Sequence, residues 1–264
     1  MRSYRIPVWG IVLAAVSLLL PVQASAESVP EGAIGSVSAN GTTVFFYDTS
    51  GSGGATAMWD AAVSASEATV TLYADWKSVN GSYLVQSGNG CAFEGSICVP
   101  SGHTVTLNLN GFHIDRTLVA EISNGEVIVI QDGGTLNLTD LSGSTGTITG
   151  GKSTNSAGGI QIESGGTLNL WGGSITGNTT LTSGGGIQLN GEGALFYMSG
   201  GSIIGNQAGE NGGGAALNGG TGQLVSGKIA DNTAGQYGGG LYVQNVSADV
   251  QGITIEGNLS LIHI

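Results

Sequence analysis

From Gly158 to Asn258 the apolar residues return in a fixed phase. Leu170, Met198, Leu224 and Val250 each stand five residues before the isoleucine of an Ile-x-x-Asn quartet, and the quartets end at Asn178, Asn206, Asn232 and Asn258, spaced by 28, 26 and 26 residues. A second set, Ile160, Ile187, Ala215 and Leu241, follows Gly-Gly pairs at spacings of 27, 28 and 26 residues. Within each period, short segments such as Ile160-Gln-Ile162 and Leu168-Asn-Leu170 alternate apolar with polar, which is the period of a strand buried on one face. Clusters of Gly, Ser, Thr and Asn separate them. One period holds too few apolar residues to bury its own inner face, so the coils must stack on one another. The pattern predicts an all-β chain: a parallel β-helix with three short strands per coil.

Upstream the phase continues more loosely. Leu109 stands five residues before Ile114, as Leu170 does before Ile175, and the coil from Ile114 to Ile148 carries extra residues near 117–126 and 140–146. Counting the inward pairs from Ile97/Val99 to Leu241/Val243 gives about six coils, a rod of roughly 25 to 30 Å at about 4.8 Å per step. Before the coils, Thr43 to Tyr47 reads as a strand. Thr56 to Glu67 then changes period, with Met58, Trp59, Ala62, Val63 and Ser66 at helical steps. The open first coil of a solenoid needs a cover, so this segment is expected to be a short N-terminal capping helix, with Val70 to Leu72 the first strand beneath it.

The two ends extend the domain plan. Residues 1–26 read as a signal peptide: Arg2 and Arg5, an apolar run from Ile6 to Leu20, and the small residues Ala24-Ser25-Ala26. That run falls short of the roughly 20 residues that cross a bilayer. The divisions are thus a leader at 1–26, a segment with the capping helix at 27–67, repeats at 68–258, and an abrupt end at 259–264 that reads as a truncation. The chain is expected to be secreted or at the cell surface, with no membrane span after the leader.

Composition narrows the function classes. The 49 glycines are far more than an average share of about 7%, yet the apolar positions stay in phase, so the richness marks corners and close backbone approach rather than disorder. Asn178, Asn206, Asn232 and Asn258 recur at another corner, where Asn tolerates the left-handed region and its amide can bond to the copies above and below. They read as a structural ladder. The net charge is −12, and after the leader only Lys77, Arg116, Lys152 and Lys228 are basic. Such a surface repels phosphate backbones and anionic headgroups, which argues against nucleic acid as a partner.

The repeats resemble those of the right-handed parallel β-helix superfamily that includes the pectate-lyase-like proteins. More narrowly, Gly-Gly-Ile160, Gly-Gly-Ile187, Gly-Gly-Leu241 and the Ile-x-x-Asn quartets resemble the Gly-Gly-Ala-hydrophobic and Phe-x-x-Asn repeats of polymorphic outer-membrane proteins, with Ile in place of Phe. The resemblance implies a right-handed coil and a surface-exposed, adhesin-like role, with an extracellular glycan or a host or cell-surface protein as partner. No cofactor is expected for such a scaffold.

Catalysis has a narrower basis. A lyase acting on a uronate needs carboxylates for Ca²⁺ and a base, outward on adjacent coils. His113, Asp115 and Arg116 are the best such set, His113 and Asp115 alternating with inward residues; the alternative is a solvated strand face. Outward Trp171, Tyr197 and Tyr242 could stack on sugar rings, although they occupy different places on their coils. Thr135 and Thr167 begin an outward threonine array that Ala194 would break. Cys91 and Cys98 suit a disulfide closing a small loop, with Cys98 turned outward from Ile97 and Val99. Two cysteines without nearby histidines do not make a zinc site.

Overall fold

The computed structural model describes residues 28–48, 53–78, 83–85, 95–142 and 144–261. The expected leader at 1–26 lies outside them, as do Cys91 and the last three residues. The chain divides into Met1–Pro30 and Glu31–Ile264, and the described strands and helix all belong to the second unit. It is a right-handed parallel β-solenoid of about six turns.

The first elements close one end. Ala33–Ala39 (β1) and Thr42–Tyr47 (β2) form an antiparallel hairpin turned at Asn40-Gly41, with φ of 51° and 75°. Two-residue hairpins want that left-handed backbone, and Asn-Gly adopts it at least cost. The helix Gly53–Val63 (α1) buries Met58, Trp59, Ala62 and Val63. It begins three residues before the expected Thr56, and Gly54 in its first turn lies so close to the Tyr47 carbonyl that a side chain would collide with it. It ends before the expected Glu67, because Glu67–Leu72 (β3) is a strand that pairs with Thr104–Asn108 in parallel and with β1 antiparallel. The cover is therefore helix plus hairpin. Trp59 fastens it by donating from Nε1 to the Cys98 carbonyl at 2.8 Å.

Beyond the cover, the chain winds through three parallel faces. The first runs from β3 through Thr104–Asn108, Thr135–Thr139 and Thr167–Leu170 to the leading halves of Leu195–Ile204, Thr221–Ala230 and Ser247–Glu256. Their trailing halves continue the second face, which holds His113–Asp115, Thr147–Thr149 and Ser174–Thr176. The third face stacks Ile97, Ile128, Ile160, Ile187, Ala215 and Leu241 in register. From Lys152 onward a two-residue strand follows each corner as well, making a fourth, narrow sheet.

Stacking buries the apolar columns. Leu107, Leu138, Leu170, Met198 and Leu224 are neighbours in one column and fully buried, whereas Val250 in the last described coil is 42% exposed. Fully burying one such side chain stabilises by about 1.5 to 3 kcal/mol. Volume is traded along the next column: the large Phe196 is followed by Gly222, and Leu217 Cδ1 stands 2.7 Å from where a Cβ on Gly222 would be. The unequal periods arise in one turn. Between Asn190 and Leu195 the chain is two residues longer than between their partners Asn218 and Thr221.

Candidate functional site

Two places carry chemistry. One is the corner where Arg116 and Glu126 meet; the other is the outward side of the first face.

His113, Asp115 and Arg116 do not form one constellation. His113 and Asp115 lie half-buried on the outer side of their strand, with Ile114 buried between them. His113 Nδ1 is 2.9 Å from Thr147 Oγ1, and Asp115 Oδ1 accepts from the Thr117 backbone at 2.8 Å, closing a local turn. Arg116 points the other way and is fully buried. Its Nη1 donates to Ser96 Oγ at 2.9 Å, to the Asn124 carbonyl at 2.7 Å and to the Glu126 carbonyl. Glu126 is also fully buried; its carboxylate accepts from Ser96 Oγ at 3.1 Å and from Ser156 Oγ. Burial lowers the Arg116 pKa, opposed by the Glu126 charge and then by Tyr83. Burial raises the Glu163 carboxyl, and the Glu126 charge raises it further. An acid or base must touch its substrate to transfer a proton, and Arg116 is sealed inside. Its inward direction continues the alternation of the strand, in which Ile114, Arg116 and Leu118 are buried while His113, Asp115 and Thr117 are not.

Asn178, Asn206, Asn232 and Asn258 form a hydrogen-bonded column at the equivalent corner of the later coils. Each Nδ2 donates to the next Oδ1, at 3.1, 3.0 and 2.9 Å, and that same Oδ1 also accepts from the backbone N–H of the preceding asparagine. The left-handed residues are not these asparagines. They are Gly177, Gly205, Asp231 and Gly257, one place earlier, which turns the amide inward to reach carbonyls such as Ile175 at 2.9 Å.

Cys98 is disulfide-bonded, and Cys91 lies outside the described residues. Turned outward from Ile97 and Val99, Cys98 is nonetheless covered, only 5% exposed, and Val129 and Gln161, its successors in that column, are buried too. The segment before Gln161 folds over this side, with Ala157 N–H donating to Gln161 Oε1 at 3.0 Å.

The outward side of the first face is different in kind. Thr104, Thr135, Thr167, Leu195 and Thr221 make one column, and Thr106, Asn137, Asn169, Tyr197 and Gln223 the next. None of the ten is charged. The nearest carboxylates in these columns are Glu67 at one end and Asp249 at the other. The amides run in sequence: Asn169 Nδ2 donates to Asn137 Oδ1 at 2.8 Å, and Asn137 Nδ2 to Thr106 Oγ1 at 3.1 Å. Compared with known proteins, the chain matches no family model, no curated protein and no solved structure.

The face therefore has to be judged on its own geometry. Trp171, 43% exposed, directly follows the strand Thr167–Leu170 that carries Asn169, and Asn169 pairs with Tyr197, so the two aromatics stand two positions apart on adjacent coils. Tyr242 lies on the third face opposite Ala216. The expected break in the threonine array at Ala194 is corrected as well: Ala194 is buried, Leu195 stands at that position, and Thr221 resumes the column. The signal was present in the sequence. Counting three back from the aligned Leu170 and Met198 gives Thr167 and Leu195. Among the described residues no group of three or more His, Cys, Asp or Glu could hold a metal, and no helix is long and apolar enough to cross a membrane.

Proposed function

We propose that the chain is an exported cell-surface or extracellular β-helix scaffold, adhesin-like, that presents a binding face without catalysing a reaction. The observation that carries this reading is the uncharged, hydrogen-bonded outer face over five successive strands, set beside an acid–base trio whose arginine is sealed away. The leader-like residues 1–26 and the resemblance of the repeats to polymorphic outer-membrane proteins support export and surface display. Partners of this reading are an extracellular glycan or a host or cell-surface protein.

The competing reading, suggested by the resemblance to pectate-lyase-like proteins, is a lyase or hydrolase of acidic glycans. Incubating the purified chain with polygalacturonate, with and without Ca²⁺, separates the two. The scaffold reading expects no new reducing or unsaturated ends. Product that appears with the parent chain and disappears with Asp115→Ala or His113→Ala would overturn it.

A further inference from the structure

Resting on the scaffold reading, we infer that the outer side of the first face binds a neutral polysaccharide laid across the coils, with a sugar ring against Trp171 and Tyr197. The charge distribution selects the ligand class. On a chain of net charge −12, the two columns from Thr104 to Gln223 hold no acid and no base. A uronate or sulfated chain would find no cation there and a repulsive field around it. An uncharged partner loses nothing by the lack of counter-charge.

Hydrogen-bonding capacity selects further. Asn137 and Asn169 each use one amide hydrogen on their neighbour. Each amide has two donor hydrogens and two acceptor lone pairs on its oxygen, so each retains capacity of both kinds toward solvent. The threonine hydroxyls beside them add more, each able to donate and accept. A surface offering both, repeated at about 4.8 Å by the strand spacing, suits a polymer that itself repeats hydroxyls. The pyranose unit of an extended glycan is close to that length, so one sugar falls on each coil. Trp171 supplies the apolar platform that a sugar's C–H face requires, and Tyr197 the second ring with a hydroxyl at its edge. Glu67 and Asp249 bound a track of five strands, about 19 Å long.

Tryptophan emission is a direct probe in a chain carrying Trp9→Phe, because Trp59 and Trp76 are buried while Trp171 is exposed. The full chain is titrated with hydroxyethyl cellulose, galactomannan and soluble β-1,3-glucan, and with polygalacturonate as the charged comparison. The expected result is a saturable emission shift with at least one of the three neutral polymers, unchanged between about 0.05 and 0.5 M salt because no screened charge is involved. Tyr197→Ala weakens it about tenfold, and Trp171→Ala removes retardation of the chain in native gels containing that polymer. Tyr242→Ala, on the third face, leaves both readouts unchanged. Both first-face side chains are outward, so melting temperatures near the parent value verify folding. The inference is overturned if none of the neutral polymers binds, if only polygalacturonate binds, or if the Trp171 and Tyr197 variants bind as the parent does. New reducing ends in the same mixtures would instead sink the scaffold reading, so the two failures are distinguishable.

Discussion

The same corner of the solenoid is filled in two ways. In the later coils it holds a column of asparagine amides, each repeating the bonds of the one before. In the early, longer coil it holds Arg116 and Glu126, both fully buried, with Ser96 and Ser156 completing their hydrogen bonds. An amide carries donor and acceptor together, so a stack of identical residues satisfies itself and propagates at the coil rise. Charges cannot be repeated that way, because the next copy would meet its own sign. The charged corner is therefore a single device, suited to a place where the coil lengthens and the regular backbone is interrupted.

The largest effect should come from breaking the charged corner on one side only. Arg116→Met leaves Glu126 buried without its counter-charge and should cost about 3 to 5 kcal/mol. Adding Glu126→Gln should bring stability back to within about 1 to 2 kcal/mol of the parent, because a neutral corner has no buried charge to balance. Urea denaturation of the two variants measures both, and a double variant no better than the single one would mean that packing, not charge, governs the site.

A smaller loss is expected in the amide column. Asn206→Leu removes a donor to the Ile175 carbonyl and leaves the Asn178 backbone N–H without its acceptor, for about 2 to 3 kcal/mol. Asn258→Leu, at the part-exposed end, should cost less, since water replaces the lost bonds there. Equal losses at the two positions would contradict a cooperative column.

The smallest effect is electrostatic. The Glu163 carboxyl has a pKa raised by burial and then by the Glu126 charge, so the folded chain holds this proton more tightly than the unfolded one. Stability contributed at low pH is then lost as pH rises from the ordinary carboxyl value through the raised one, and stays lost above it. Glu163→Gln should raise the melting temperature slightly at neutral pH and leave it unchanged well below the ordinary carboxyl range. A loss at neutral pH would reverse the sign of this account.

What the residues disclosed in advance was whatever repeats. The columns through Leu170 and Met198, the period and the outward alternation of His113 and Asp115 follow from the spacing of oily residues alone, because stacking forces like onto like. What stayed hidden was local and single. The strand Thr43 to Tyr47 was legible, but not the antiparallel pairing of β1 with β2 and β3 against an otherwise parallel stack. Arg116 lies inward by the ordinary alternation, but its partners Ser96, Asn124 and Glu126 come from a neighbouring coil and an irregular stretch, which spacing does not announce. The ladder corner was displaced by one residue, since Asn and Gly both tolerate positive φ and Gly177, Gly205 and Gly257 took that role. Trp171 and Tyr197 were legible as outward aromatics, but that they stand two positions apart on adjacent coils follows only from the register of Asn169 with Tyr197.

The central claim is the register that places Asn169 beside Tyr197 and so builds both the amide corner inside and the uncharged track outside. Cross-linking tests it most directly. Cysteines replacing Asn169 and Tyr197 stand on neighbouring parallel strands, within the Cα separation of about 4.4 to 6.8 Å that a disulfide spans, and mild oxidation should join them nearly completely in the folded chain, as read by peptide mass. Cysteines at Asn169 and Phe196 face opposite sides of the sheet and should not join. Failure of the first pair, or equal joining of the second, would contradict the register and with it the proposed binding face.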